Sequence, residues 1–300
     1  MTDFARPLVG LSLSEADESL LAYAARLTDW FQWTDVHFAH VATSSQAGAA
    51  SEPLHLQAGM RAEVQRFFGD LVPGDAPAFH AARGDRLDQI LRLTVELERD
   101  LVVVGHRRAT SGRRSLARRL AMVAPSSIWL APEAAPPSIS RILVPTDFSA
   151  YSADALGVAV RVARTLGLTQ LHVIHVFFDP STVRYDEHLD EILGQEEQAF
   201  ERFVAGVDTE GVEVEPVFIE GPKPAEVILR IAERYGTDLI VMNTRGRSQA
   251  ASVLLGSTTS ETMAVSRAPV LAVKHFGGRL TLMDALVNHR IWERPAPKTN

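Results

Sequence analysis

Four stretches of the first half of the chain return in the same order in the second half, and this repetition constrains the fold more than any other feature. "RPLVGLSLSEADESLLAYAARL" resembles "RILVPTDFSAYSADALGVAVRVA", which starts at Arg141, and "DVHFAHV" (Asp35–Val41) resembles "QLHVIHV" (Gln170–Val176). "ARGDRLDQILRLTVELERDLVVVGHR" resembles "IEGPKPAEVILRIAERYGTDLIVMNTR", and "APSSIWLAP" resembles "SRAPVLAVK". The copies lie 135–142 positions apart in a chain of 300 residues. A period this long is a duplicated domain, not a short solenoid repeat, and each copy is long enough to bury its own core. The expected organisation is one domain over 1–132, a second over 139–276 and a tail over 277–300. "APEAAPPSIS" (Ala131–Ser140), with three prolines and no helical period, reads as the linker.

Within each copy short apolar runs alternate with amphipathic stretches. In the second, "ILVP", "LHVIHVF", "VEVEPVFIE", "DLIVMN" and "PVLAV" read as strands. "SADALGVAVRVARTLG", "LDEILGQEEQAFERFVAG", "PAEVILRIAERYG" and "STTSETMAVSR" read as the helices between and around them. This alternation specifies an α/β fold. Each domain is a doubly wound, Rossmann-like five-stranded parallel sheet with helices on both faces. Ligands of such sheets bind beyond the carboxyl ends of the strands, where strand order reverses.

Composition narrows the partners. A formal charge of −7 and a pI near 5.8 argue against nucleic acid or an anionic membrane surface as the target. The chain has no cysteine, which removes disulfides, thiolate metal sites and Cys nucleophiles and fits a reducing cytoplasm. Neither a leader peptide nor an apolar run of membrane-spanning length is expected, so the localisation read from the sequence is cytoplasmic.

The residues that leave the strands are where a ligand should be sought. In the second copy they are "PTDFS", "HVFFD", "EGPKP" and "MNTRG". "MNTRGRSQAASVLLGSTTSETM" (Met242–Met263) places Gly246 ahead of Gly256, with Ser257 and Thr258 opening a helix. Without Cβ atoms the backbone can approach an anion or take a positive φ, and a helix start offers free amides. The other reading is a surface loop with a serine cap. Asp147 likewise reads as a ligand acceptor or as a helix cap.

In these residues and this strand order the chain resembles a tandem universal stress protein, with the adenine nucleotide alpha hydrolase-like fold. ATP-binding members of that family carry G-x-x-G-x9-G-[ST]. Asn243, Gly246, Gly256 and Ser257 stand at those positions, Asn243 being the departure. The resemblance implies ATP or a related adenine nucleotide, with Mg2+ as its accompanying ion. It implies contacts from Pro145, Thr146 and Asp147 after the first strand, and from Val176 after the second. Met242, Asn243, Arg245 and Gly246 would follow the fourth strand, with Gly256, Ser257 and Thr258 at the last helix. The implied role is in stress response, by nucleotide-dependent interaction with at most slow ATP hydrolysis. No catalytic residue and no metal ligand set can be assigned. The alternative is a protein-interaction scaffold of the same fold that binds no nucleotide.

The first copy departs at the same places. Ser12 replaces Asp147, Gly105 faces Asn243, Arg108 stands where Gly246 does, and Arg114–Ser115 face Gly256–Ser257, so the ATP site is expected to be lost there. Six arginines between Arg107 and Arg119 form a basic cluster, read either as a solvated face or as a site for an anion or an acidic protein partner. His37 and His40, like His172 and His175, are three apart on strands and face opposite sides, so buried hydrogen-bonded histidines are expected and not chelates. "EHLDEILGQEEQAFE" reads as a solvated acidic face. The final strands "SSIWLA" and "PVLAV" are expected to pair antiparallel in an internal pseudo-dimer, with a further homodimer as an added level of assembly.

Overall fold

The computed structural model describes residues 4–43, 53–69, 78–106, 115–133, 135–178, 186–244 and 255–274. The tail 277–300, Arg245, Gly246 and four of the clustered arginines (Arg107, Arg108, Arg113 and Arg114) lie outside them. The chain divides into two compact units, with the division after Glu133.

The first unit runs β1 (Pro7–Leu11), α1 (Asp17–Phe31), β2 (His37–Ala42), α2 (Pro53–Phe68), β3 (Ala78–Arg83), α3 (Arg86–Glu96), β4 (Leu101–His106), α4 (Leu116–Val123) and β5 (Ser127–Pro132). Its strands are all parallel in the order β3-β2-β1-β4-β5. The second runs β6 (Ile142–Thr146), α5 (Ala150–Thr165), β7 (Gln170–Phe177), α6 (Asp186–Ala205), β8 (Glu213–Glu220), α7 (Pro224–Tyr235), β9 (Leu239–Asn243), α8 (Ser257–Val265) and β10 (Val270–Val273). Its order is β8-β7-β6-β9-β10, again parallel. Both units are doubly wound α/β sheets, and strand order reverses between β1 and β4 and between β6 and β9.

Local sequence explains the elements. β6 and β9 are buried at every position, the pattern of central strands covered on both faces. α7 opens with Pro224 and closes at Gly236, whose φ of 60° lets its amide reach back to the carbonyls of Ala232 and Glu233. Its apolar face, Ala225, Ile228, Ile231 and Ala232, is buried. In α5, Ala155, Leu156, Ala159, Val160 and Ala163 play the same part.

Corresponding contacts occur in both units. Asp100, before β4, accepts the Arg6 amide at 3.0 Å, and Asp238, before β9, accepts the Arg141 amide at 3.0 Å. Leu13 and Phe148, one residue after Ser12 and Asp147, both hold positive φ, 53° and 59°. The linker differs from the sequence reading at both ends. Ala131 is buried within β5, and Ser140 donates its amide and hydroxyl to Asp238. Proline content marks the stiff middle but not the residues that neighbouring strands capture.

Candidate functional site

At the carboxyl ends of β6, β7 and β9 the second unit holds a cavity of about 290 Å3. Pro145, Thr146 and Asp147 enter it from β6, Val176 from β7, Met242 and Asn243 from β9, and Gly256, Ser257 and Thr258 from the start of α8. Nine of the eleven residues singled out from the sequence therefore converge on one cavity. Arg245 and Gly246 lie outside the described residues. His175, Ser152, Pro224 and Ile228 also line it.

The turn after β6 is tightly organised. Thr146 donates its hydroxyl to Ser152 at 2.9 Å and accepts the Phe148 amide at 2.9 Å. Asp147 Oδ1 accepts the Ser149 amide at 3.1 Å and the Ser149 hydroxyl at 2.6 Å. Ser149 in turn caps α5 by accepting the Ser152 amide. Asp147 is thus not the helix cap itself. It braces the residue that is, and this fixes its own carboxylate in the cavity wall.

His175 adds a second brace. Its Nδ1 donates to the Thr146 carbonyl at 2.8 Å, Nε2 lies 3.3 Å from Glu196, and the ring stacks on Phe148 with centroids 4.2 Å apart. A carbonyl only accepts, so that bond places a proton on Nδ1. The expectation of a buried, hydrogen-bonded histidine holds for His175 and for His40, which bonds the Leu11 carbonyl at 3.0 Å. His37 and His172 differ: they are partly exposed and face Asp35 and Glu215. Glu196 corrects the reading of α6 as a wholly solvated acidic face, because one of its carboxylates turns inward to an imidazole. Sequence reasoning missed His175 as a cavity residue. Its adjacency to Val176 at a strand's carboxyl end was the available signal. Among the described residues no group of three or more metal-ligating side chains converges, and no helix is long and apolar enough to cross a membrane.

The other side of the cavity is the start of α8. Gly256 is its N-cap, with no side-chain capping bond and no acidic residue in the first turn. The Gly256 amide is spent on the Thr244 carbonyl at 2.9 Å, and its carbonyl takes the Ser260 amide. The amides of Ser257, Thr258 and Thr259 follow, in the turn where a helix has no carbonyl of its own to offer them and where its dipole is positive. Gly256 has φ −55° and ψ 142°, so it needs no left-handed backbone. Asn243 closes β9 as a buried residue without positive φ, and its carbonyl accepts the Thr259 hydroxyl at 2.7 Å, tying β9 to α8.

Chemically the cavity offers an acidic acceptor at one side and, at another, first-turn amides that take no partner among the described residues. Val176, Ile174, Ile228 and Met242 supply apolar walls between them. It suits a flat apolar ring that carries hydroxyls and an anionic tail. Lys223, the lysine of "EGPKP", is exposed and pairs with Glu226, away from this task. Of the arginine cluster, Arg119 lies 4.0 Å from Asp85.

The sequence profile of the universal stress protein family matches residues 138–274. The universal stress protein MJ0577 of Methanocaldococcus jannaschii is 29% identical over 154 residues, 45% of this chain and 94% of that protein. YxiE, a universal stress protein of Bacillus subtilis, is 30% identical over 148 residues, again 45% of this chain and 99% of the relative. The crystal structure of a universal stress protein from Archaeoglobus fulgidus superposes with a TM-score of 0.65 at 21% identity, covering 90% of this chain and 98% of that one. The strand order, the cavity at its reversal and a relative aligned over nearly all its length lead to one conclusion: the chain belongs to the universal stress protein family.

Proposed function

We propose that the second unit binds ATP or a related adenine nucleotide, and that the first unit does not. The observation that carries this reading is the convergence of Asp147 and the open first turn of α8 on a single cavity. The adenine ring lies between Val176, Ile228 and Met242, Asp147 accepts from the ribose hydroxyls, and the α8 amides with Gly256 hold the phosphates. Magnesium accompanies the phosphates. Arg245 and Gly246 belong to the same loop in this reading. The first unit has Ser12 where the acid stands, and its Ser115 hydroxyl already caps α4 by accepting the Arg118 amide. Binding regulates interaction in a cytoplasmic stress response, and ATP turns over slowly if at all. We further propose, on the sequence of the two final strands, that the two copies pair as an internal pseudo-dimer.

Calorimetric titration with ATP and magnesium tests the first claim, with an expected stoichiometry near one per chain. A stoichiometry near two would overturn the loss of the first site. No heat, with no nucleotide released on denaturing the purified protein, would favour the scaffold reading.

A further inference from the structure

The substitutions that set the first copy apart leave a cavity behind them. It occupies the same place in the strand order, at the carboxyl ends of β1 and β4, and at about 460 Å3 it exceeds the one in the second unit. Leu11, Val41, Ile90 and Val104 give it apolar walls, and Ser14, Ser19, His106 and Ser115 add polar groups. Its charges are rearranged. Where Asp147 stands in the second unit, Ser12 bonds inward: its amide and hydroxyl donate to the buried Asp17 at 3.0 and 2.7 Å. Asp17 also accepts the Leu13 amide at 2.7 Å, so this acid is consumed in holding the turn. Where Pro224 opens α7, Arg86 opens α3, and it lines the cavity. Arg86 is exposed and among the described residues has no ion pair or hydrogen bond, whereas Asp85 beside it is spent on the amides of Leu87 and Asp88. Glu133, the remaining acid of the lining, is already engaged. His40 bonds the carbonyl of Leu11, one of the lining residues. Burial above all, and then the Arg86 cation, hold its pKa below the ordinary histidine value.

Among the described residues the lining joins apolar side chains to one unpaired guanidinium, and its two carboxylates, Asp17 and Glu133, are already engaged; such a lining selects an anion with an apolar body. We propose that the first unit carries a second ligand site, for a small molecule with an apolar body and one anionic group set against Arg86. The site is separate from nucleotide binding. It lacks the acceptor that ribose hydroxyls require, and its added cation favours a ligand that the second unit does not take.

Two fluorescent probes with the same aromatic body test this in the full-length protein: anilinonaphthalene sulfonate, which is anionic, and its uncharged parent phenylnaphthylamine. The sulfonate should saturate at one molecule per chain, and excess ATP should not displace it. Arg86→Gln should weaken the sulfonate about tenfold or more, the loss of a charge-assisted contact. It should leave phenylnaphthylamine and the melting temperature unchanged, and Arg86→Lys should restore most of the sulfonate affinity. Ser14→Trp, at an exposed position that also lines the cavity, should expel both probes without touching Arg86. The proposal fails if Arg86→Gln binds the sulfonate like the parent, if both probes weaken equally, or if ATP displaces the sulfonate.

Discussion

At Gly256 the backbone angles are open to any residue, so the cost of a substitution there comes from the volume of a side chain beside the α8 amides. Gly256→Val should weaken ATP binding at least about tenfold, or about 1.4 kcal/mol, and leave the melting temperature close to that of the parent. Ser257→Ala deletes a hydroxyl but no amide and should cost less, about 1 kcal/mol. Asn243→Gly should bind equally well or more tightly, because it frees volume in the cavity wall without disturbing the carbonyl that Thr259 uses. Titrating the three variants with ATP checks the ordering. A Gly256→Val protein that binds like the parent would place the phosphates elsewhere. At this scale the sequence was informative about residue types. It named Asp147, Gly256 and Ser257, but it could not say that Asp147 braces Ser149 or that Gly256 has a negative φ, because both depend on how the turn closes.

The elements were the most legible level, since periods of two and of three to four residues are written directly in the apolar pattern. β7, α7 and β9 fall within a residue or so of the sequence reading. What the pattern did not carry is pairing across strands. His80, on β3, sits against His37, on β2, with Nε2 to Nδ1 at 3.0 Å, and His37 faces Asp35, which the Arg99 guanidinium holds at 2.8 Å. The pKa values of His37, His40 and His80 all lie below the ordinary histidine value, burial being the largest cause in each. The unfolded chain therefore binds more protons below about pH 6.5 than the folded unit does. The resulting stability is complete above that pH and is lost as pH falls beneath it toward the folded values. The urea midpoint of the first unit should drop between about pH 7.5 and about pH 5.5. His40→Asn, which keeps a donor for the Leu11 carbonyl but cannot titrate, should show a shallower drop. An equal or steeper drop in that variant would remove His40 from the account.

For the whole molecule, ATP in the second unit alone and ATP in both units differ in which strand ends the ligand protects. A ligand at about a hundred times its dissociation constant adds about 2.7 kcal/mol to the structure that binds it. Hydrogen exchange with ATP and magnesium should therefore slow at the ends of β6 and β9 and in the first turn of α8, with no change at β1, β4 and α4. Equal slowing at both sets would assign nucleotide to both units. The pseudo-dimer is tested separately. The chain has no cysteine, so single cysteines placed beside Trp129 and Leu271 can be joined without competition. Efficient oxidation to an intramolecular disulfide is expected, and failure under mild oxidant would sink the pairing.

The sequence by itself determined the alternation of strand and helix, the division into two similar halves and the family, because these rest on local periodicity and on residues repeated in order. Only the tertiary structure decided what each strand end presents. Asp147 and Ser12 occupy equivalent positions and each lines its unit's cavity, yet Asp147 accepts from Ser149 while the Ser12 hydroxyl donates to Asp17, five residues on. Arg86 reads in sequence as one more surface cation. It becomes a charge of the cavity, unpaired among the described residues, only because β1 and β4 end beside the start of α3. A cavity is a volume bounded by atoms distant in the chain, and packing, which no local pattern encodes, leaves it open or fills it.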